Sequence, residues 1–271
     1  MGKAGKFRES TASMLPVLLA CSFTASFGQS MMNVALPELA ERFGITLSIA
    51  NWVIVGYMVV AATAIMLAAF MLRRLGLRRV FFVGAGALAL GSAFALVSQN
   101  FPMLFASRLV QAVGTGLFFP SVTSVIMATS PAEVRGTRLA LNSGVIAVGL
   151  AVSPTVSGFA LTQFGWRSMF VVSLAMSAAL LAVGFFRIRG GPSSVRIPID
   201  ALSVVLGPLG LAAFLYGLGE ITHDAGPSVI ALAAGAVLLA LFAWRQFSLK
   251  DPLLDLHPLA RPRFAVGILL V

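Results

Sequence analysis

Residues 49–72 read IANWVIVGYMVVAATAIMLAAFML, and residues 73–79 read RRLGLRR. The first stretch carries no charged side chain. As a helix it would rise about 36 Å at roughly 1.5 Å per residue, enough to cross a hydrocarbon core of about 30 Å. The second stretch holds four arginines in seven residues. Hydrocarbon leaves backbone N–H and C=O groups no solvent partner, so the apolar stretch must pair internally as a helix. Arginines crowded at one end mark the side on which the chain emerges, because membrane proteins hold their basic connectors in the cytosol.

The pattern recurs along the chain. Further apolar runs of spanning length occupy roughly 14–36, 80–98, 103–128, 139–160, 168–186, 200–219 and 228–247. A ninth begins near Phe264 and stops at Val271, too short to cross, so the sequence is expected to be a fragment or a truncated gene product. The connectors are short and are marked by proline, glycine or charge, as at Pro37, Pro102, Pro131, Gly165 and Pro252. Alternating polar and apolar residues, the sign of a membrane β-barrel, are absent.

The spacing therefore predicts an all-α integral membrane protein. Residues 1–13 form a cytosolic N-terminus, 14–186 a six-helix bundle and 187–199 a cytosolic linker. Residues 200–247 add two spanning helices, and 248–271 hold a cytosolic loop and the start of another helix.

Bulk composition agrees. Apolar residues make up 59% and charged residues 10% of the chain, against about 45–50% and about 25% in soluble domains. Mean hydropathy is +0.97. The net charge of +10 would suggest nucleic acid in a soluble protein. Here the basic residues sit in short clusters between apolar runs, so lipid is the expected partner and nucleic acid is not.

With the N-terminus inside, sixteen of the nineteen lysines and arginines fall on the cytosolic side, Arg42 and Arg167 fall outside, and Arg108 lies within a span. The basic start (Lys3, Lys6, Arg8) leads into a run long enough to span, so it is not read as a cleavable signal. The single cysteine, Cys21, excludes a disulfide framework. Two histidines, His223 and His257, are too few for a metal cluster. With no nucleophile–base set either, an enzyme is not expected.

Candidate functional residues are those that interrupt the apolar runs. Arg108 is the only ionisable side chain well inside one, at a cost of about 2.5–3.5 kcal/mol near a helix centre, which makes function its default reading and snorkelling to the interface the alternative. Gln111 lies one turn on, and Gly114 and Gly116 leave room for close helix contact. In the run at 139–160, Gly149, Ser153 and Ser157 recur every fourth residue, with Pro154 and Gly158 as a neighbouring stripe. This is either a seal or hinge at a bundle interface, or plain close packing. Gln29 and Asn33, four apart, either line a cavity or bond a neighbouring helix, and Tyr57 could face the same space. The loop Arg73, Arg74, Gly76, Arg78, Arg79 reads on composition as an orientation signal touching anionic lipid.

These residues together resemble the major facilitator superfamily, and more narrowly its fourteen-helix drug:proton antiporter branch. Asn33 to Pro37 matches that branch's first-helix signature, and Trp52 with Tyr57 its second helix. Arg108, Gln111, Gly114 and Gly116 match the fourth-helix Arg-x-x-Gln-Gly-type motif, with the first glycine position taken by Ala112 and Val113. Gly144, Gly149, Ser153, Pro154, Ser157 and Gly158 resemble the fifth-helix antiporter motif, with two serines where glycine is usual. Trp166, Arg167 and Phe170 are similar to the start of the sixth helix. Pro252 to Leu256, then Arg263 and Phe264, are similar to the loop after the two extra helices.

The resemblance implies a rocker-switch exporter in the cell membrane that carries small amphipathic, drug-like compounds against protons. The proton gradient is its energy source, and it needs no cofactor. A second, C-terminal helical bundle is missing from this sequence. Arg108 and Gln111 would serve proton coupling. Gln29, Asn33, Tyr57, Phe118 and Phe119 would line the substrate cavity. Gly149, Ser153, Pro154, Ser157 and Gly158 would form the fifth-helix seal. Arg73, Arg74, Gly76, Arg78 and Arg79 would form the cytosolic gating loop.

Two departures bear on this. The first-helix acid of the branch falls at Gly28, and the gating-loop aspartate falls at Arg73, with Ala69 at that loop's first glycine. None of the nine acids lies deep in a span. A truncated or divergent non-transporting relative and an uncoupled facilitator therefore stand beside the antiporter reading.

Overall fold

The computed structural model describes residues 3–188, 200–220 and 225–249, with side chains described from Met14 onward. The segments 189–199, 221–224 and 250–271 lie outside the described residues. So do His223, His257, the Pro252–Leu256 motif and the ninth run expected from Phe264. The chain divides into two compact units, Met1–Ser194 and Val195–Val271.

The regular structure of the first unit, among its described residues, is helical. α1 spans Lys3–Ser30 and passes through a 3-10 turn, Met31–Val34, into the short amphipathic helix α2, Leu36–Phe43. Gly44 stops α2 in the left-handed conformation, φ 63°. α3 runs Leu47–Leu75, capped by the Thr46 hydroxyl, which accepts from the Ile49 N–H at 3.3 Å. α4 is Leu77–Leu96. α5 is Phe101–Thr129, capped by the Asn100 carboxamide at 3.0 Å from the Met103 N–H. α6 is Ala132–Phe164 and α7 is Arg167–Arg187. The six runs expected between 14 and 186 thus appear as α1 and α3 to α7, each long and apolar enough to cross a membrane.

α5 is the hub and packs on α3, α4 and α1, while α6 packs on α1 and α7 packs on α4 and α1. The reason lies in two glycines. A Cβ at Gly116 would run into the Ala61 carbonyl of α3, and one at Gly114 into the Gly84 carbonyl of α4. Only hydrogen on those Cα atoms lets three backbones meet. Apolar clusters fill the rest, one around Cys21, Phe81, Leu88 and Phe118, another around Met32, Leu39, Trp166 and Phe170. Large apolar side chains point outward elsewhere, as with Phe159 at 65% exposure and Phe164 at 75% on α6, which suits a helix wetted by lipid.

The arginine cluster differs from the expected loop. α3 continues to Leu75 and α4 starts at Leu77, so Gly76 alone joins them, with φ 77°. Arg73 and Arg74 belong to the last turn of α3, where positive charge suits the helix dipole. Arg78 and Arg79 open α4, where it does not. Arg74 lies over the Phe70 ring at 5.8 Å and Arg78 over Phe82 at 5.9 Å.

In the second unit, α8 (Ala201–Glu220) and α9 (Ala225–Ser248) pack closely on each other. Gly217 and Gly235 leave no room for a Cβ between the two backbones, and one at Gly210 would be tight. At one end the Asp200 carboxylate accepts from Arg245 Nε at 2.7 Å and Nη2 at 2.8 Å, and also from the Ser203 hydroxyl. Gln246 donates to Ser203 at 2.7 Å. The guanidinium hydrogen bonds hold the Asp200 carboxyl well below the usual carboxylate range. With the folded value below the unfolded one of about 3.9, the clamp is complete above that pH and is lost only as pH falls through the lower folded value. The Asp200 carboxyl carbon should therefore keep its ionised NMR shift from neutral pH down to about pH 4. In Arg245→Gln it should titrate in the ordinary range; the same flat response in that variant would disprove the clamp.

Candidate functional site

Arg108 lies two turns into α5, 0% exposed. Its Nη1 donates to the Gly28 carbonyl at 3.1 Å and to Gln111 Oε1 at 2.7 Å. Gln111 passes the chain on, its Nε2 donating to the Ser92 hydroxyl of α4 at 2.8 Å. Ser92 lies 3.0 Å from the Ser173 hydroxyl of α7 and donates to the Leu88 carbonyl at 2.7 Å. The Tyr57 ring of α3 covers the guanidinium, 4.1 Å from its carbon to the ring centroid. The Tyr57 hydroxyl meets Thr115 Oγ1 at 2.5 Å. Thr115 in turn faces the Ala25 carbonyl at 3.5 Å. One polar thread thus joins α1, α3, α4, α5 and α7.

The local cause is the end of α1. Its α-helical ladder gives way at Ser30 to the 3-10 turn, where backbone bonding tightens from the i−4 to the i−3 carbonyl. Side chains of other helices bond to carbonyls of the last turn of α1. Arg108 takes Gly28, and the Ser153 hydroxyl of α6 donates to Phe27 at 2.7 Å. Among the described residues no acidic side chain forms an ion pair with Arg108. The described acids of the first unit are Glu38 and Glu41 on α2 and Glu133 in the first turn of α6. Arg108 Nε and Nη2 have no hydrogen-bond partner among the described residues.

The structure sorts the expected residues into those joined and those apart. Arg108, Gln111 and Tyr57 meet at the thread. Gln29 is half-buried and Asn33 exposed, and the 3-10 turn between them breaks the four-residue register that would have put them on one face. Phe118 is not on a cavity wall: its ring stacks on Phe81 at 5.9 Å and fills the place of a side chain at Gly84. Phe119 is half-buried at the margin of the same core.

The two stripes on α6 also part. Gly149, Ser153 and Ser157 are buried, with Gly149 pressed on Ser26 and Phe23 of α1. Pro154 and Gly158 are half-buried, and a Cβ at Gly158 would meet nothing within 4 Å. Sequence reasoning missed Ser92, Thr115, Ser173 and the Gly28 carbonyl. Ser92 and Ser173 were visible as small polar interruptions of apolar runs. The carbonyl had no side chain to signal it.

A family model described as Major Facilitator Superfamily matches residues 18–249. An uncharacterized MFS-type transporter of Bacillus subtilis, YhcA, is 33% identical over 246 residues, covering 90% of this chain and 46% of that protein. The lincomycin resistance protein LmrB of the same organism is 30% identical over 263 residues, covering 95% and 55%. The chain therefore spans about half the length of the relatives it matches. A crystal structure of a peptide transporter POT in complex with sulfate superposes with a TM-score of 0.66 over 87% of this chain and 52% of that one. At 16% identity that likeness concerns the fold alone.

Proposed function

The chain belongs to the major facilitator superfamily, and from that premise we propose that it forms the N-terminal part of a secondary active exporter of small amphipathic compounds, driven by the proton gradient. In this reading it sits in the cell membrane with its N-terminus and its arginine-rich helix ends in the cytosol. The observation that carries it is the buried Arg108. A charge held inside a membrane bundle is expensive, and here it is woven into side chains from several helices. A purely structural hydrogen bond at Gly28 would need no charge.

Relatives described as drug-resistance proteins support the substrate class. The break in α1 beside Arg108 gives the bundle a place to bend. Gly149, Ser153 and Ser157 would act as the seal against α1. Pro154 and Gly158 would face the other half of the carrier. The Gly76 joint with its arginines would be the gating element.

A second reading, an uncoupled facilitator, is favoured by one observation. Among the described residues no acidic side chain lies deep in a span, so a titratable proton carrier must come from elsewhere. Efflux of a dye from loaded vesicles, with and without a pH gradient, separates the two. Efflux that follows the gradient supports the exporter, and efflux that ignores it supports the facilitator. No efflux overturns both and leaves a non-transporting membrane protein.

A further inference from the structure

We propose that Gly91 and Ser92 of α4 form the cradle that fixes the Gln111 carboxamide, and that Ser92 is thereby a positioning residue for Arg108. The inference rests on the transporter reading, in which Arg108 serves coupling. It gives a role to a side chain that makes no hydrogen bond to the guanidinium itself.

The space comes first. Gln111 is buried, so its stem and amide need a lane between α5 and α4. Gly91 opens that lane. A Cβ there would fall 2.5 Å from Gln111 Cγ, 2.8 Å from the Gln111 backbone nitrogen and 2.7 Å from the Ser107 carbonyl oxygen. Any side chain at this point would push the Gln111 stem away from α4. The next residue along, Ser92, is fully buried and sets its hydroxyl at the end of the lane, against the amide.

The protons come second. A serine hydroxyl has one to give. Ser92 has two acceptors for it apart from Gln111: the Leu88 carbonyl at 2.7 Å and the Ser173 hydroxyl at 3.0 Å. Whichever takes it, Ser92 shows Gln111 a lone pair, and the amide nitrogen lies on that side at 2.8 Å. The amide oxygen then points the other way, to Arg108 Nη1 at 2.7 Å. The reverse orientation would set N–H against N–H with no acceptor between them. Among the described residues that oxygen is one of two hydrogen-bond acceptors for Arg108, the other being the Gly28 carbonyl. Without the Ser92 hydroxyl the buried amide nitrogen has no acceptor. It would turn to find one and carry the oxygen off the guanidinium.

The test follows ethidium efflux from phosphatidylcholine liposomes that carry the protein, expressed from its complete reading frame, with and without a pH gradient. Ser92→Ala should cut the maximal gradient-driven rate about tenfold, the effect of one buried donor left without an acceptor. The rate without a gradient and the half-saturating ethidium concentration should stay as in wild type. Gln111→Leu should show a similar loss. Ser92→Ala added to Gln111→Leu should cost nothing further, because Ser92 acts through Gln111. Ser177→Ala is the control: this serine is also fully buried, but its hydroxyl donates to its own helix, to the Ser173 carbonyl at 2.7 Å. Its loss should leave every rate in place.

Unchanged gradient-driven efflux in a folded Ser92→Ala protein would overturn the positioning role and leave the transporter reading standing. Losses that add in the double variant would do the same. Driven and undriven rates falling together, with earlier melting, would make Ser92 a packing residue and overturn the role too. If wild type moves no ethidium, or moves it regardless of the gradient, the coupled reading falls and the positioning role falls with it.

Discussion

Arg108→Met is expected to reduce gradient-driven efflux by at least about tenfold while leaving the bundle as heat-stable in detergent as before, or more so. The two halves of this expectation have different causes. For stability, the change removes a buried charge worth about 2.5–3.5 kcal/mol of unfavourable insertion energy. It also removes the donor to two acceptors, Gln111 Oε1 and the Gly28 carbonyl, at about 1–3 kcal/mol for each one left alone. Methionine refills most of the volume under Tyr57. These opposing contributions are similar in size, so the melting temperature should not fall. For activity, nothing replaces the charge. Melting by tryptophan fluorescence and efflux from proteoliposomes measure the two separately. A protein that melts much earlier would make Arg108 a structural strut, and unchanged efflux would remove it from the mechanism.

Gly116→Val should have the largest effect on folding of any single change in the first unit. The first added carbon would sit inside the Ala61 carbonyl, with the Ala64 methyl at 2.6 Å from the same point. A carbonyl on a helix cannot rotate away as a side chain can. α3 and α5 must therefore separate, and with them the pairing of Tyr57 with Thr115 and Arg108. Overpacking in a well-packed interior costs about 1–3 kcal/mol and more against backbone. The protein should aggregate on extraction from the membrane. Gly86→Val is the control, since a Cβ at Gly86 meets nothing within 4 Å. Size-exclusion profiles of the two variants in mild detergent give the answer. A monodisperse Gly116→Val protein would contradict the close approach of α3 and α5.

Much of the architecture was legible in the sequence. The stretch at 49–72 became α3, and each of the expected spanning runs from 14 to 247 appears as a helix. Arg108 and Gln111 could be named because a charge and an amide in hydrocarbon are conspicuous and costly. Gly114 and Gly116 could be named as contact points because small residues let spanning helices approach closely.

Errors arose where local spacing was extended through a change of backbone. Gln29 and Asn33 fit one helical face only if the helix is unbroken, and the 3-10 turn at Met31–Val34 rotates them apart. Arg73 to Arg79 looked like a loop because charge and glycine mark loops, yet one glycine suffices for the turn. The resemblance puts Phe118 on the cavity wall, but its ring stacks on Phe81, and spacing does not say which face of α5 meets α4.

By itself, then, the sequence determined which segments are long and apolar enough to lie in lipid and which residues are costly there. Those are properties of each residue's transfer from water, and they do not depend on neighbours. Only the tertiary structure decided what stands beside Arg108: a tyrosine face from α3, a serine from α4 reached through Gln111, and a backbone carbonyl in the last turn of α1. Such contacts join residues as far as 80 positions apart. They are fixed by which helices glycine allows to touch, information that no single helix contains.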